Sequence, residues 1–142
     1  MTKDPYESGM IEKDVFTGRR AVIGELVASS DLMLESRGLQ LIAPRSRAVL
    51  ANEIHELIIT DEKDAGPGVT VNRTLLVGFF EVKTGGIIWV GDEIFIGNSA
   101  IGEIAGYDLT HMPNHMNIIV KAKKRVKPQA EVGAKITVAQ RK

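Results

Sequence analysis

Short apolar runs separated by glycine turns fill the second half of the chain, and this punctuation restricts the fold more than any other feature. Gly85 and Gly86, then Gly91, then Gly97 divide apolar segments at residues 87–90 and 93–96. Segments of strand length with turn residues every 8 to 12 positions or so, and hardly any helical period, are typical of small barrels and sandwiches. The sequence therefore predicts an all-β fold with little helix, a small closed or nearly closed β-barrel.

The chain length sets the domain organisation. A chain of 142 residues matches one soluble domain and is short for two. Residues 1–17 are polar with a few apolar anchors, and the first strand signal begins at Arg20. We therefore expect an N-terminal arm at residues 1–17 and a single β-barrel domain at residues 18–142.

Two stretches add detail to this prediction. Residues 46–59 fit both a helical stripe and a buried strand, and the β-branched residues 58–60 favour a strand at the end of the stretch. Apolar and polar residues alternate between Met116 and Lys123, which predicts a strand with one dry face and one wet face. Asn117 belongs to the predicted wet face.

Composition excludes several classes of function. The chain has no cysteine, so disulfides, thiolate metal sites and cysteine nucleophiles are excluded. It has no apolar run of membrane-spanning length and begins with neither a basic nor an apolar segment, so we expect a cytoplasmic protein without a membrane partner. Serine-elbow, zincin and dinucleotide-binding motifs are also missing from the sequence.

Charge is balanced overall but unevenly distributed. Residues 1–120 contain 10 basic and 17 acidic side chains, and the remaining residues contain 8 and 1, so the two parts carry net charges of −7 and +7. Most of the positive charge lies in a basic block, which consists of Lys121, Lys123, Lys124, Arg125 and Lys127. This block is either a solvated strand end or a face that contacts an acidic protein surface, including that of another copy of the chain in a homo-oligomer. No aromatic residue interleaves with it, which argues against a nucleic-acid partner.

The densest group of reactive side chains lies in residues 106–117. Asp108, His111, Asn114 and His115 occur within eight positions between two predicted strands. Imidazole nitrogen and carboxylate oxygen suit Zn²⁺, Fe²⁺, Mn²⁺ or Ni²⁺, so His111, His115 and Asp108 are candidate metal ligands. His55 is a further candidate ligand from across the barrel.

This loop has two other interpretations. Asp108 and the Asn and Thr residues of the loop are also suited to pinning a long turn through bonds to the backbone, with the histidines at the surface. In the third interpretation His111 or His115 titrates near neutral pH and assists acid–base catalysis. A one-turn helix that starts after Thr110 would place both imidazoles on one face, with Pro113 in its first turn.

A resemblance to a known family covers about the last 70 residues of the chain. This part contains the run Ile88-Trp-Val-Gly-Asp-Glu-Ile-Phe-Ile-Gly97, then Ile101-Gly-Glu-Ile-Ala-Gly106, and a final Val132-Gly-Ala-Lys-Ile-Thr-Val138. The pattern resembles the small barrels of glucitol/sorbitol-specific phosphotransferase IIA proteins, which implies a barrel fold. That family carries its phosphoryl group on a histidine before the glycine-rich turn, where residues 76–82 contain none. The resemblance therefore does not imply a phosphocarrier, and the rest of the chain looks like an uncharacterised small bacterial protein family.

These observations predict a β-barrel that binds a small ligand or a divalent metal ion through residues 106–117. Two alternatives remain open. One is a structural or interaction module that contacts a protein partner through the basic block. The other is a metal-assisted enzyme that acts on a small polar substrate.

Overall fold

Twelve strands make up the regular structure of residues 13–141. The computed structural model describes residues 13–141, and within that range there is no helix. The strands are β1 (Val22–Ser29), β2 (Met33–Leu34), β3 (Leu39–Gln40), β4 (Ser46–Val49), β5 (Ile54–Thr60), β6 (Thr70–Val71), β7 (Thr74–Thr84), β8 (Gly86–Trp89), β9 (Glu93–Ile96), β10 (Ser99–Asp108), β11 (Asn117–Lys121) and β12 (Lys135–Ala139).

Seven of these strands form a hydrogen-bonded ring in the order β1, β12, β9, β10, β11, β5, β7 and back to β1. The eighth strand of this sheet, β2, pairs with β7 outside the ring. All neighbours in the ring are antiparallel except β5 and β11, which run parallel with Glu56 opposite Asn117 and Thr60 opposite Lys121. The predicted all-β, nearly closed architecture is therefore confirmed.

The ambiguous stretch at residues 46–59 forms two strands. Residues 46–49 pair with β8 in a separate two-stranded sheet, and β5 begins at Ile54 after a tight turn at Ala51 and Asn52. Asn52 has a φ of +77°, a conformation that asparagine tolerates better than most residues. The strand that the β-branched residues predicted is present, and residues 46–59 form no helix.

Two apolar clusters lie on opposite faces of the β5–β11 pair. The inner cluster fills the ring, and includes Leu57 and Ile118, both fully buried. The outer cluster includes Ile58 and Ile119 and is covered by the small β3–β6 sheet through Leu39 and Val71. Strands buried on both faces need apolar residues at nearly every position, which explains the continuous apolar run in this part of the chain.

Because the β3–β6 sheet covers the outer cluster, one prediction from the sequence is wrong. Residues 116–120 alternate between the two faces as expected, but the predicted wet face is dry at Asn117, which is fully buried. The alternation identified the two faces correctly, and it could not show that the β3–β6 sheet covers the outer one.

The predicted N-terminal arm falls mostly on residues 1–12, which lie outside the described residues. Within the described part, the Phe16 ring contacts the Trp89 indole edge to face at a centroid distance of 6.1 Å. Arg19 joins Asp14 and Asp92, and its guanidinium donates to both carboxylates. Residues 13–141 contain no helix long and apolar enough to cross a membrane.

Candidate functional site

The parallel pairing of β5 and β11 brings two distant parts of the sequence together. The turn before β5, at residues 50–53, and the loop before β11, at residues 109–116, meet at the same end of the strand pair. Two bonds lock this meeting point. The Glu56 amide donates to the Met116 carbonyl at 3.0 Å, and the Met116 amide donates to Nδ1 of His55 at 3.1 Å. We call this region the histidine end.

The loop itself folds as a series of turns. The amides of Asn114 and His115 both donate to the His111 carbonyl, at 2.9 and 3.3 Å. The loop therefore brings His111 and His115 together through turns, and not through the one-turn helix that the sequence also allowed. Their rings stack with centroids 5.1 Å apart and planes 24° apart, and Phe79 of β7 contacts the His115 ring edge to face at 4.9 Å.

The candidate metal ligands do not converge. The nitrogen lone pairs of an imidazole lie in the ring plane, so two nearly parallel stacked rings direct them past each other rather than to one point. Within residues 13–141 no group of three or more His, Asp or Glu side chains is arranged to hold a metal ion. His111, His115, Asp108 and His55 thus do not form the predicted ligand set in this conformation.

Asp108 is fully buried, and its carboxylate is held by bonds within the fold. Its carboxylate accepts hydrogen bonds from the Gln40 amide at 2.8 Å, the Thr110 amide at 2.9 Å and Nδ2 of Asn117 at 3.3 Å. Burial alone would raise the pKa of Asp108, but these donors outweigh it and the pKa is lowered. Asp108 therefore ties the β3–β6 sheet and the loop to the ring, as in the structural interpretation of this loop.

His55 is held in one tautomer. Its Nδ1 accepts the Met116 amide proton, so the other nitrogen, Nε2, carries the ring proton and donates to Oε1 of Glu53 at 3.1 Å. The same Oε1 accepts the Leu50 amide at 2.8 Å. Burial raises the pKa of Glu53, but these bonds and the charges around it lower it overall. Glu53 is thus an ionised carboxylate beside a neutral imidazole.

His115 and Glu56 form a second pair. Oε1 of Glu56 lies 3.5 Å from Nε2 of His115, too far for a normal hydrogen bond. Burial raises the pKa of Glu56, and burial together with the nearby His111 lowers the pKa of His115. Both shifts favour the uncharged forms. Nε2 of His115 and Oδ1 of Asn117 are buried and have no hydrogen-bond partner among the described residues.

A cavity of about 390 Å³ opens at the histidine end. Its wall combines the turn at Asn52 and Glu53 with His55, with Phe79, and with residues 112–115 of the loop. Of the predicted ligand-binding residues, Asn114 and His115 line it, while Asp108 and His111 do not. His55 and His115 both line this cavity. The sequence alone left open whether His55 lies near the loop histidines.

Sequence reasoning missed Glu53, Glu56 and Phe79. A signal for Glu56 was present, because a glutamate inside a continuous apolar strand is costly to bury and therefore informative. Phe79 gave no such signal, since its contact with His115 depends on the register in which β7 pairs with β5.

Four of the five residues of the basic block fall into two groups. Arg125 donates to the carbonyls of Leu34 and Thr74 and to Glu35, and Lys127 donates to the carbonyls of Ser30 and Val77. These two cations therefore hold backbone in place. Lys123 and Lys124 are exposed, and no described acidic residue pairs with either of them.

Comparison with known proteins gives a family and no function. The model of a family of unknown function, DUF6917, matches residues 16–139. No curated protein and no solved structure matches the chain. The resemblance to phosphotransferase barrels accordingly gains no support from these comparisons.

Proposed function

Since the chain belongs to the DUF6917 family, whose function is unknown, we propose a function from its own geometry: the protein binds a small organic cation in the cavity at the histidine end. One observation carries this proposal. An ionised carboxylate, neutral imidazoles and an aromatic ring, supplied by three separate segments of the chain, line the same cavity.

The charge of the cavity wall favours a cation over an anion. Glu53 has a lowered pKa and is ionised at neutral pH, while the bond from the Met116 amide keeps His55 neutral and the lowered pKa keeps His115 neutral. Among residues 13–141, no cationic side chain lines this cavity. Oε1 of Glu53 is taken up by Leu50 and His55, which leaves Oε2 to accept from a ligand.

Phe79 supplies a second attraction. Aromatic faces attract ammonium groups, and a pocket of a few hundred Å³ with few convergent polar groups is the usual form of a small-molecule site. Met112 and Pro113 add apolar wall from the loop side. The interpretation as a metal-assisted enzyme has no support from this cavity, because the candidate metal ligands do not converge on one point.

The test is an NMR titration of amide signals with butylamine and tetramethylammonium as cationic probes and acetate as the anionic probe. We expect the cations to shift signals of residues 52–55, 79 and 112–115, and acetate to leave them unchanged. Glu53→Gln keeps the acceptor for Leu50 and removes the charge, so it should weaken cation binding at least about fivefold.

The matched control is Glu81→Gln, which removes a carboxylate from the neighbouring strand β7 outside the cavity. This variant should bind the cationic probes as the unchanged protein does. Equal weakening by both variants, or shifts caused by acetate at the same signals, would contradict the proposal.

Two earlier predictions remain proposals. The uneven charge distribution supports association between copies of the chain, and native mass spectrometry should then show species above the 15.5 kDa of one chain. A single species of one chain at micromolar concentration would contradict it. Cytoplasmic location likewise stays a prediction.

A further inference from the structure

The opposite end of the β5–β11 pair carries a larger cleft, of about 870 Å³. Residues after β5 and after β11 form its sides, and the start of β10 forms its base. We call this end of the strand pair, with its cleft, the lysine end. Its size falls within the range of small-molecule sites, and it lies outside the cavity of the proposed function.

The acidic side chains of this cleft are already paired. Asp61 accepts from the Arg73 guanidinium at 3.2 Å. Glu103 accepts from Arg141 at 2.9 Å, and Glu93 lies 4.0 Å from the same guanidinium. Their charges are therefore largely compensated within the protein.

The lysines of the cleft are not paired in this way. Lys63, Lys123 and Lys124 line it, are exposed, and have no partner among the described residues. Lys121 is half-buried, and its Nζ reaches only the Ala65 carbonyl at 3.3 Å. The charge that remains available in the cleft is thus positive, and like charges gathered in one cleft attract multivalent anions.

The base of the cleft is apolar. Ile101 and Ala122 are half-buried there and pack against the inner core. No aromatic side chain of the described part of the chain lines the cleft, so these residues offer no surface on which a nucleobase would stack. The combination suits an anion with an organic body that is not aromatic.

We propose that the lysine end binds a small phosphate ester with a non-aromatic body, with its phosphate between Lys63, Lys123 and Lys124 and its body over Ile101 and Ala122. Lysine ammonium groups bind phosphate as point charges. The site stands on residues other than those of the histidine end, so it can be present whether or not that end binds a cation.

The test compares ribose 5-phosphate with its two halves, ribose and inorganic phosphate, by isothermal titration calorimetry at low salt, with amide shifts recorded in parallel. We expect ribose 5-phosphate to bind at least about tenfold more tightly than inorganic phosphate and ribose not to bind. The shifted signals should fall at residues 61–63, 100–103 and 121–124. Raising the salt concentration should weaken binding.

Two double variants with the same change in net charge locate the site. Lys123→Gln with Lys124→Gln should reduce affinity for ribose 5-phosphate at least about tenfold. Lys83→Gln with Lys135→Gln removes two exposed lysines elsewhere and should leave it unchanged.

Three outcomes would overturn the proposal. Equal affinity for the ester and for inorganic phosphate would show that the organic body makes no contact with the apolar base. Equal weakening by the two double variants would show that only overall charge matters. Tighter binding of a hexaglutamate peptide than of the ester, at the same signals, would assign the cleft to an acidic protein segment.

Discussion

The two ends of the β5–β11 pair hold their polar groups in opposite ways. At the histidine end, Glu56, Asp108 and Asn117 are buried within the fold, and Asp108 is satisfied by three donors. At the lysine end, roughly 20 Å away along strands that rise about 3.3 Å per residue, Lys123 and Lys124 lie in solvent. The bonds of Asp108 at the histidine end thus contribute to the stability of the fold, whereas Lys123 and Lys124 make no bond within it.

The largest expected difference between the ends comes from Asp108→Ala. The substitution leaves the amides of Gln40 and Thr110 and Nδ2 of Asn117 without their acceptor. Nδ2 of Asn117 is buried, and the bonds from Gln40 and Thr110 are partly buried. A buried donor that loses its partner costs about 1–3 kcal/mol and a lost hydrogen bond about 1 kcal/mol, so we expect the free energy of unfolding to fall by about 3 kcal/mol.

Urea denaturation measures this effect, with Lys123→Ala as its counterpart at the lysine end. That variant should stay within about 0.5 kcal/mol of the unchanged protein, as surface substitutions usually do. A loss below about 1 kcal/mol for Asp108→Ala would remove the contrast between the two ends.

The second prediction concerns Gly102, a position at the lysine end where a larger side chain should destabilise the fold. Gly102 has a φ of +153°, and a Cβ added there would lie 2.4 Å from the Lys121 carbonyl oxygen. Gly102→Ala should therefore lower the free energy of unfolding by about 2 kcal/mol, because the backbone of the neighbouring strand must shift.

Gly66→Ala is the matched control, since its nearest added contact is at 3.8 Å and its φ lies outside the left-handed region. Urea denaturation should find this variant within about 0.5 kcal/mol of the unchanged protein. If the two alanine variants unfold at the same urea concentration, strand contact at the cleft base is looser than the structure indicates.

The third prediction separates two neighbouring cations of the basic block. Arg125→Gln removes donors to two backbone carbonyls and to Glu35, and should cost about 1–2 kcal/mol in urea denaturation. Lys124→Gln should cost less than about 0.5 kcal/mol. The reverse order would mean that Lys124 has a structural partner, and would weaken its assignment to the phosphate site.

The sequence predicted the fold better than it predicted which surfaces are covered. Glycine turns and strand residues are local signals, so β8, β9 and β11 fall where the pattern placed them. The parallel pairing of β5 with β11 joins residues about 60 positions apart and depends on how the ring closes. Because that pairing and the β3–β6 cover decide burial, Asn117 could not be identified as a buried residue.

The candidate site was predictable only where its residues are close in sequence. His111 and His115 are four positions apart, and the loop does bring their rings into contact. The partners that set the chemistry come from elsewhere: Glu56 through the β5–β11 register, and Phe79 through the β5–β7 register. The metal-ligand prediction rested on residue types and spacing. These do not reveal the directions in which the nitrogen lone pairs of the imidazoles point.

The last and smallest predicted effect is the pH dependence of stability that His115 and Glu56 cause at the histidine end. The pKa of His115 is lowered below its ordinary value of 6.5 by burial and by His111. A group whose pKa is lower in the folded state contributes stability above its unfolded pKa and loses it as the pH falls through the folded value. Glu56, with a raised pKa, acts in the opposite sense and loses its contribution as the pH rises above 4.5.

Urea midpoints measured between about pH 7.5 and pH 5.5 should therefore fall less in His115→Gln than in the unchanged protein. His111→Gln is the control, and it should keep most of the pH dependence because the half-buried His115 ring is still present. Lys124→Gln, from the other end, should keep all of it. The contrast arises because protonating His115 puts a charge beside buried groups that cannot reach water, whereas a solvated lysine carries its charge at no such cost. Identical profiles for His115→Gln and the unchanged protein would show that His115 reaches water once protonated.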